Sequence, residues 1–226
     1  MSKTAIVTGA AGALGSAVAK FLKGKGWTVI VTDRIDIRDA DQFALSLPGV
    51  DLDVADAVTK ARDTISAKFG KVAGIANIAG GFSWELIEGG SVDTWDRLYQ
   101  MNVRSAFLSC QSFLPLLGEG SSIVNVSAAG SIKAAMGMGA YAASKAGVSR
   151  LTEALAEEVK ERGIRVNAVS PERTDTPMRR RAFPDETRDG MLAADEVAAA
   201  TLRLLRSGLT GQVVDVKRDD LEASPD

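Results

Sequence analysis

Histidine is absent from this 226-residue chain, cysteine occurs once, at Cys110, and tyrosine twice. Without imidazole there is no Ser-His hydrolytic relay, no histidine base and no route to most transition-metal sites. Proton chemistry falls to Tyr, Lys or a carboxylate, and no metal is expected. A single cysteine excludes an intrachain disulfide and argues against a secreted, disulfide-stapled fold; Cys110 reads as core packing. No stretch approaches the ~20 apolar residues of a membrane span, and MSKTAIVTG enters a short apolar run without a signal-peptide layout. Nor does one sign of charge dominate. The 27 Lys plus Arg against 29 Asp plus Glu leave a net charge of −2, too little field to gather nucleic acid or an anionic membrane. A cytoplasmic protein with a small-molecule substrate is expected.

With 46% hydrophobic residues the chain can bury one substantial core, and its length fits a single domain over 1–226. Short β-rich runs at 4–8, 28–32, 49–53, 72–77, 122–127, 164–170 and 212–216 alternate with helix-period segments. Most are apolar on both faces, as in a parallel sheet covered by helices on each side. The expected fold class is α/β: one Rossmann-type, doubly wound domain with a seven-stranded parallel sheet. A helix over 13–24 aligns Leu14, Val18, Phe21 and Leu22 on one stripe. A long helix over 91–117 should break near Asn102, and one from Tyr141 to about 160 should turn Val148, Leu151, Leu155 and Val159 inward. Segment 171–192, rich in Pro, Arg and Asp, is expected to be an irregular lid.

Two motifs carry chemistry. TGAAGALG, Thr8 to Gly15, follows the first strand and opens the first helix. Gly9 permits a tight turn, Gly15 lets helix pack on strand, and the small residues between let backbone N–H groups approach a pyrophosphate at the helix N-terminus. YAASK places Tyr141 and Lys145 at i and i+4, on one helix face. A free phenol, with pKa ~10, is a poor base near neutrality, and an adjacent ammonium favours the phenolate.

The spacing of TGAAGALG, then Asp33, NIAGG (77–81), Asn102 in MNVRSAF and YAASK, all in this order, resembles the short-chain dehydrogenase/reductase family over nearly the whole chain. The resemblance implies hydride transfer with a nicotinamide dinucleotide held by Gly9, Ala11, Gly12, Leu14 and Gly15. It places Asp33 on the adenosine ribose. A carboxylate there accepts bonds from a 2′,3′-diol and repels a 2′-phosphate, so NAD(H) is preferred; Arg34 keeps NADP(H) open. It further implies adenine contacts from Asp53 and Val54, and contacts from Asn77, Ala79 and Gly80. Pro171 and Thr174 would also bind the cofactor, and Thr176 would contact the nicotinamide carboxamide or the pyrophosphate. Tyr141 becomes the general acid/base, Lys145 its pKa depressor and ribose anchor, and Asn102 the support of the proton relay. A homodimer or homotetramer through the helices at 91–117 and 141–160 is also implied.

One expected group is missing. The family's serine lies thirteen positions before the tyrosine, and here that position is Ala128. Ser127 is adjacent but should face the opposite side of a continuing strand, and Ser131 could reach in from the loop. Ser127 is retained among the candidate catalytic residues. Losing one oxyanion donor costs a carbonyl reductase on the order of 10²–10³ in rate, so the expected substrate is a small carbonyl or alcohol, or an electron-poor acceptor that needs the donor less. GALGS (12–16), AGGFSW (79–84), GMGAYAASKAG (137–147) and DTPMRRRAFPDE (175–186) resemble the dihydropteridine reductase-like branch, whose substrate is a quinonoid dihydropterin. SPERTDTPMR (170–179) also resembles pentitol-phosphate reductases, with Arg179, Arg180 and Arg181 as candidate phosphate or carboxylate ligands. The reading from another class is a dinucleotide-binding sensor or scaffold, disabled by Ala128.

Overall fold

A computed structural model describes residues 3–218, so the outermost parts of the expected 1–226 domain lie outside the described residues. Strands β1 (Thr4–Thr8), β2 (Thr28–Thr32), β3 (Leu45–Leu47), β4 (Val72–Asn77), β5 (Leu117–Val126), β6 (Arg165–Pro171) and β7 (Val213–Val216) form one parallel sheet in the order 3-2-1-4-5-6-7. Alternation along β1 shows why its residues are apolar throughout. Ala5 and Val7 enter the core under α1 (Ala13–Gly24) and α7 (Ala194–Arg206), with Val18, Leu22, Val197 and Leu205. Ile6 enters the opposite core, with Val58 and Ile65 of α2 (Ala55–Phe69), Phe113 of α4 (Ser105–Phe113) and Leu155 of α5 (Gly139–Val159). Strand order reverses between β1 and β4, and the crevice at their carboxyl ends is where such sheets bind ligands.

Four expectations need correction. The third strand is Leu45–Leu47, not 49–53: Gly49 takes a left-handed turn (φ +77), and Val50 and Leu52 fill the core as a loop before α2. The fifth strand begins at Leu117, five residues before the expected 122. The helix expected over 91–117 is α3 (Val92–Tyr99), a π-helical turn over Gln100–Arg104 that contains Asn102, then α4. The break near Asn102 is thus real, and its form is one widened turn, frequent at functional sites. Segment 171–192, expected as an irregular lid and called the lid below, is not wholly irregular. It contains the short helix α6 (Pro177–Ala182), and a bridge between Thr174 and Leu192 closes its base. Among the described residues no helix is long and apolar enough to cross a membrane.

Candidate active site

The Gly-rich turn allows no side chain at two points. Gly9 has φ +69, and a Cβ there would lie 2.7 Å from Ala79 Cα; a Cβ on Gly15 would run into the carbonyl of Gly9. Gly12 is the N-cap of α1 and carries no side chain toward the open helix end. Asp33, at the end of β2, accepts from the Ala11 N–H at 2.9 Å through one carboxylate oxygen and from the Ile35 N–H at 3.2 Å through the other. It therefore fixes the turn and stays partly exposed beside it, with Arg34 exposed next to it. Thr8, which spacing alone did not single out, accepts from the N–H groups of Ile78 and Ala79 at 3.1 and 3.2 Å and ties β1 to the loop after β4. This backbone cradle, small-residue lined with a carboxylate at its rim, fits a dinucleotide.

Other expected cofactor residues divide. Leu14 is partly buried against the α1 core, Val54 is 49% exposed at the start of α2, and Asp53 is ion-paired with Arg104 at 3.2 Å. Asn77 is turned inward: its amide donates to Asn125 Oδ1 (2.8 Å) and Cys110 Sγ (3.2 Å), and its carbonyl oxygen accepts from Ser109 (2.6 Å). This network saturates the Asn77 side chain in the core. Cys110 belongs to it, its thiol pushed up to about 12 by burial, which makes it inert packing. Pro171 ends β6 opposite Val216, Thr174 donates to the Glu172 carbonyl, and Thr176 caps α6 by accepting from the Arg179 N–H. Glu172, which follows Pro171, adopts no left-handed backbone, since Asp39 is the one non-glycine residue with positive φ among those described.

Tyr141 and Lys145 lie one turn apart near the start of α5. Lys145 Nζ donates to the Val126 carbonyl at 2.7 Å and is buried, which lowers its pKa to about 8. Desolvation pushes the Tyr141 phenol up to about 12, and the charge of Arg179 pulls it back in part. The expected lowering by Lys145 is therefore not the pattern found: the amine is desolvated and engaged on a carbonyl. Asn102 grips the loop after β4 in both directions, accepting from the Gly81 N–H (2.9 Å) and donating to its carbonyl (3.1 Å), while its amide also donates to Ser144 on α5 (2.9 Å). A Cβ on Gly80 would lie 2.6 Å from Asn102 Oδ1 and 3.5 Å from Lys145 Nζ, so the loop packs against both groups. Tyr141, Lys145 and Asn102 thus come together.

Ser127 does not join them through its hydroxyl. It is 1% exposed and faces α5, 2.7 Å from Ser149 Oγ and 3.1 Å from the Lys145 carbonyl. Alternation along the strand explains this orientation. Ser131, half-buried, is 3.3 Å from Ser127 Oγ, and Ala128 is buried without a hydroxyl.

Aromatic rings wall the other side. Phe82 meets Tyr141 edge-on at 4.9 Å and Phe183 of the lid at 5.7 Å, while Trp84 donates to the Met136 carbonyl at 3.0 Å. In the lid, Arg179 forks onto Glu186 with both bonds at 2.7 Å, and Arg180 forks onto Asp175 likewise. Two of the three expected anion-binding arginines are thus paired within the lid. Each paired carboxylate is held below its ordinary pKa by its arginine.

The short chain dehydrogenase family model matches residues 3–187. The chain is 32% identical to a D-threitol dehydrogenase of Mycolicibacterium smegmatis, covering 89% of this chain and 85% of that one. It is 31% identical to a 3-oxoacyl-acyl-carrier-protein reductase of Thermotoga maritima, over 95% and 96%. A solved short chain dehydrogenase from Burkholderia cenocepacia, in complex with NADP, superposes with a TM-score of 0.85 at 28% identity over 95% of this chain and 96% of that one. The chain belongs to the short-chain dehydrogenase/reductase family of NAD(P)-dependent oxidoreductases.

Proposed function

We propose that the protein is an NAD(H)-preferring oxidoreductase that reduces a flat, electron-poor acceptor, with Tyr141 as its acid/base. The observation that carries the substrate class is the wall around Tyr141: rings of Phe82 and Phe183 on one side, and Ala128 where a hydroxyl donor would stand. A strongly polarised acceptor, of quinone or quinonoid dihydropterin type, needs little help from a second donor. The dinucleotide, when bound, supplies the hydride. Tyr141 gives up its phenolic proton as the substrate's new O–H or N–H bond forms, and the phenolate is reprotonated from solvent. Lys145 and Asn102 stand behind it: Lys145, with a pKa of about 8, exchanges protons near neutrality, and Asn102 fixes the loop that faces both. Ser127, by bonding the Lys145 carbonyl, steadies the first turns of α5.

Gly9, Ala11, Gly12 and Gly15 would hold the pyrophosphate and Asp33 the ribose, with Val54 on the adenine side and Ala79, Gly80, Pro171, Thr174 and Thr176 toward the nicotinamide. The exposed Val92, Trp95, Tyr99 and Phe107 on α3 and α4 support a homodimer or homotetramer through these helices. The unpaired, buried Cys110 is in keeping with a cytoplasmic setting.

The test pairs binding with turnover. NADH binding is followed by fluorescence, then oxidation of NADH by quinones, a quinonoid dihydropterin and sugar phosphates. Tyr141→Phe is expected to lower turnover by at least roughly 10²-fold with NADH binding unchanged; undiminished turnover removes Tyr141 from its role. Tight NADH binding with no turnover on any acceptor would support a sensor instead. Asp33→Ala is expected to shift the NADH-to-NADPH affinity ratio by about tenfold toward NADPH, and an unchanged ratio overturns the preference.

A further inference from the structure

The start of α5 is weakly specified by its own sequence. Its N-cap is Met138, which makes no side-chain capping bond, and its first helical residue is Gly139. The first backbone N–H groups of a helix have no partner inside it, and an end without a capping side chain is the less stable for it. Tyr141 stands in this first turn, so whatever holds the turn also sets where the phenol lies.

The irregular stretch after β4, residues 81–85, is what holds it. On one side Gly81 exchanges bonds with Asn102 of the π-helical turn, and Ser83 accepts from Arg97 of α3 at 3.0 Å. These two ties anchor the stretch. On the other side Phe82 meets the Tyr141 ring edge-on at 4.9 Å, the Trp84 indole N–H donates to the Met136 carbonyl at 3.0 Å, and the Glu85 N–H donates to the Gly137 carbonyl at 2.9 Å.

Gly137 is matched to this contact. A turn closed by the Met138 N–H on the Ala135 carbonyl (3.1 Å) gives Gly137 φ +74, and a Cβ there would run into the indole ring of Trp84. The indole therefore lies directly on the backbone that leads into α5. At Gly139 a Cβ would lie 3.5 Å from Trp95 and 3.6 Å from Ile87, which is ordinary contact, so the close seat belongs to Gly137 and Trp84.

We infer that Trp84 is a positioning residue for Tyr141: seated on Gly137 and bonded to the Met136 carbonyl, its indole latches the start of α5 to the loop after β4. The inference rests on the reading of Tyr141 as the acid/base. A misplacement of about 1 Å at a reacting group can cost on the order of 10²-fold in rate. Trp84 is 42% exposed, so the competing role is direct contact with substrate, which would act on KM.

Trp84→Leu removes the ring and its N–H together. Hydrogen exchange at the amides of Ala142 to Lys145 is expected to quicken by about tenfold, while β4 and the second half of α5 keep their protection. On whichever acceptor the wild type reduces, kcat should fall about tenfold, with KM and NADH affinity within about twofold of wild type. Trp84→Phe, which keeps a ring on Gly137, should recover part of the loss. Gly137→Ala should reproduce the pattern by displacing the indole, and adding Trp84→Leu to it should cost little more, because both changes break one contact. A merely structural role predicts protection lost throughout the fold with kcat unchanged. That result, or a raised KM at constant kcat, overturns the inference. Exchange is measured without turnover, so the two readings fail separately: an active Tyr141→Phe enzyme defeats the acid/base assignment, and unaltered exchange at Ala142 to Lys145 in Trp84→Leu defeats the latch.

Discussion

The nucleotide side and the substrate side of this crevice are built from different materials. Around the Gly-rich turn, position is set by backbone groups and by two side chains that accept from backbone N–H groups, Asp33 and Thr8. Across the crevice, the lid is held by arginine forks at partly exposed carboxylates and by ring contacts. Backbone contacts survive most side-chain replacements that add no bulk at the turn's glycines, whereas an ion pair and a ring wall can be exchanged residue by residue. On the proposed reading, the first side would fix the cofactor class and the second would adapt to a substrate, which is how one fold hosts many chemistries.

The sharpest way to break this contrast is Gly15→Ala. A Cβ there would overlap the Gly9 carbonyl, which is backbone and cannot swing aside, so the turn must open. The expected loss is roughly 2–3 kcal/mol or more of stability together with NADH binding, measured by urea unfolding and fluorescence titration; retention of both would show the turn to be as adaptable as the lid.

A middle-sized effect comes from Lys145, which sits between the two sides. Its pKa is lowered in the folded state, from 10.5 to about 8, so between these values the unfolded chain binds a proton that the folded chain does not. Stability should consequently rise from pH 8 to 10, by up to about 1.4 kcal/mol per pH unit. Above pH 10 Tyr141 acts oppositely, because its raised value makes the folded state hold a proton longer. Lys145→Met should flatten the rise in unfolding curves taken across pH 8 to 10, and an unaltered slope would remove Lys145 as its source.

The smallest effect is expected in the lid. Glu186→Gln breaks the Arg179 fork and the Arg173 contact, yet both arginines reach solvent, so the stability change should stay under about 1 kcal/mol. Thermal unfolding measures it, and a substantially larger loss would show that the lid is as firmly built as the cradle.

Much of the cradle was legible because its constraints are local. The first, second and fourth strands fall at the expected residues, and Gly9, Gly15, Tyr141 and Lys145 are separated by spacings that one turn or one helix dictates. The inward orientation of Ser127 also follows from strand alternation. What was not legible depends on distant partners. Val50 and Leu52 are apolar enough to read as a strand, but the chain has already turned at Gly49 and they pad the core. Asn77 looked like a cofactor ligand until Ser109, Cys110 and Asn125 arrived from other elements to saturate it. The pairing of Arg179 with Glu186 rather than a substrate anion requires α6 and the following turn, and a charge count cannot supply either.

The short third strand bears on how molecules of this kind meet one another. An outer strand of three residues, Leu45–Leu47, presents few free backbone donors and acceptors, and β7 at the other edge has only four residues. A stray chain would find little template for extending the sheet at either end, which protects a concentrated solution from edge-to-edge polymerisation.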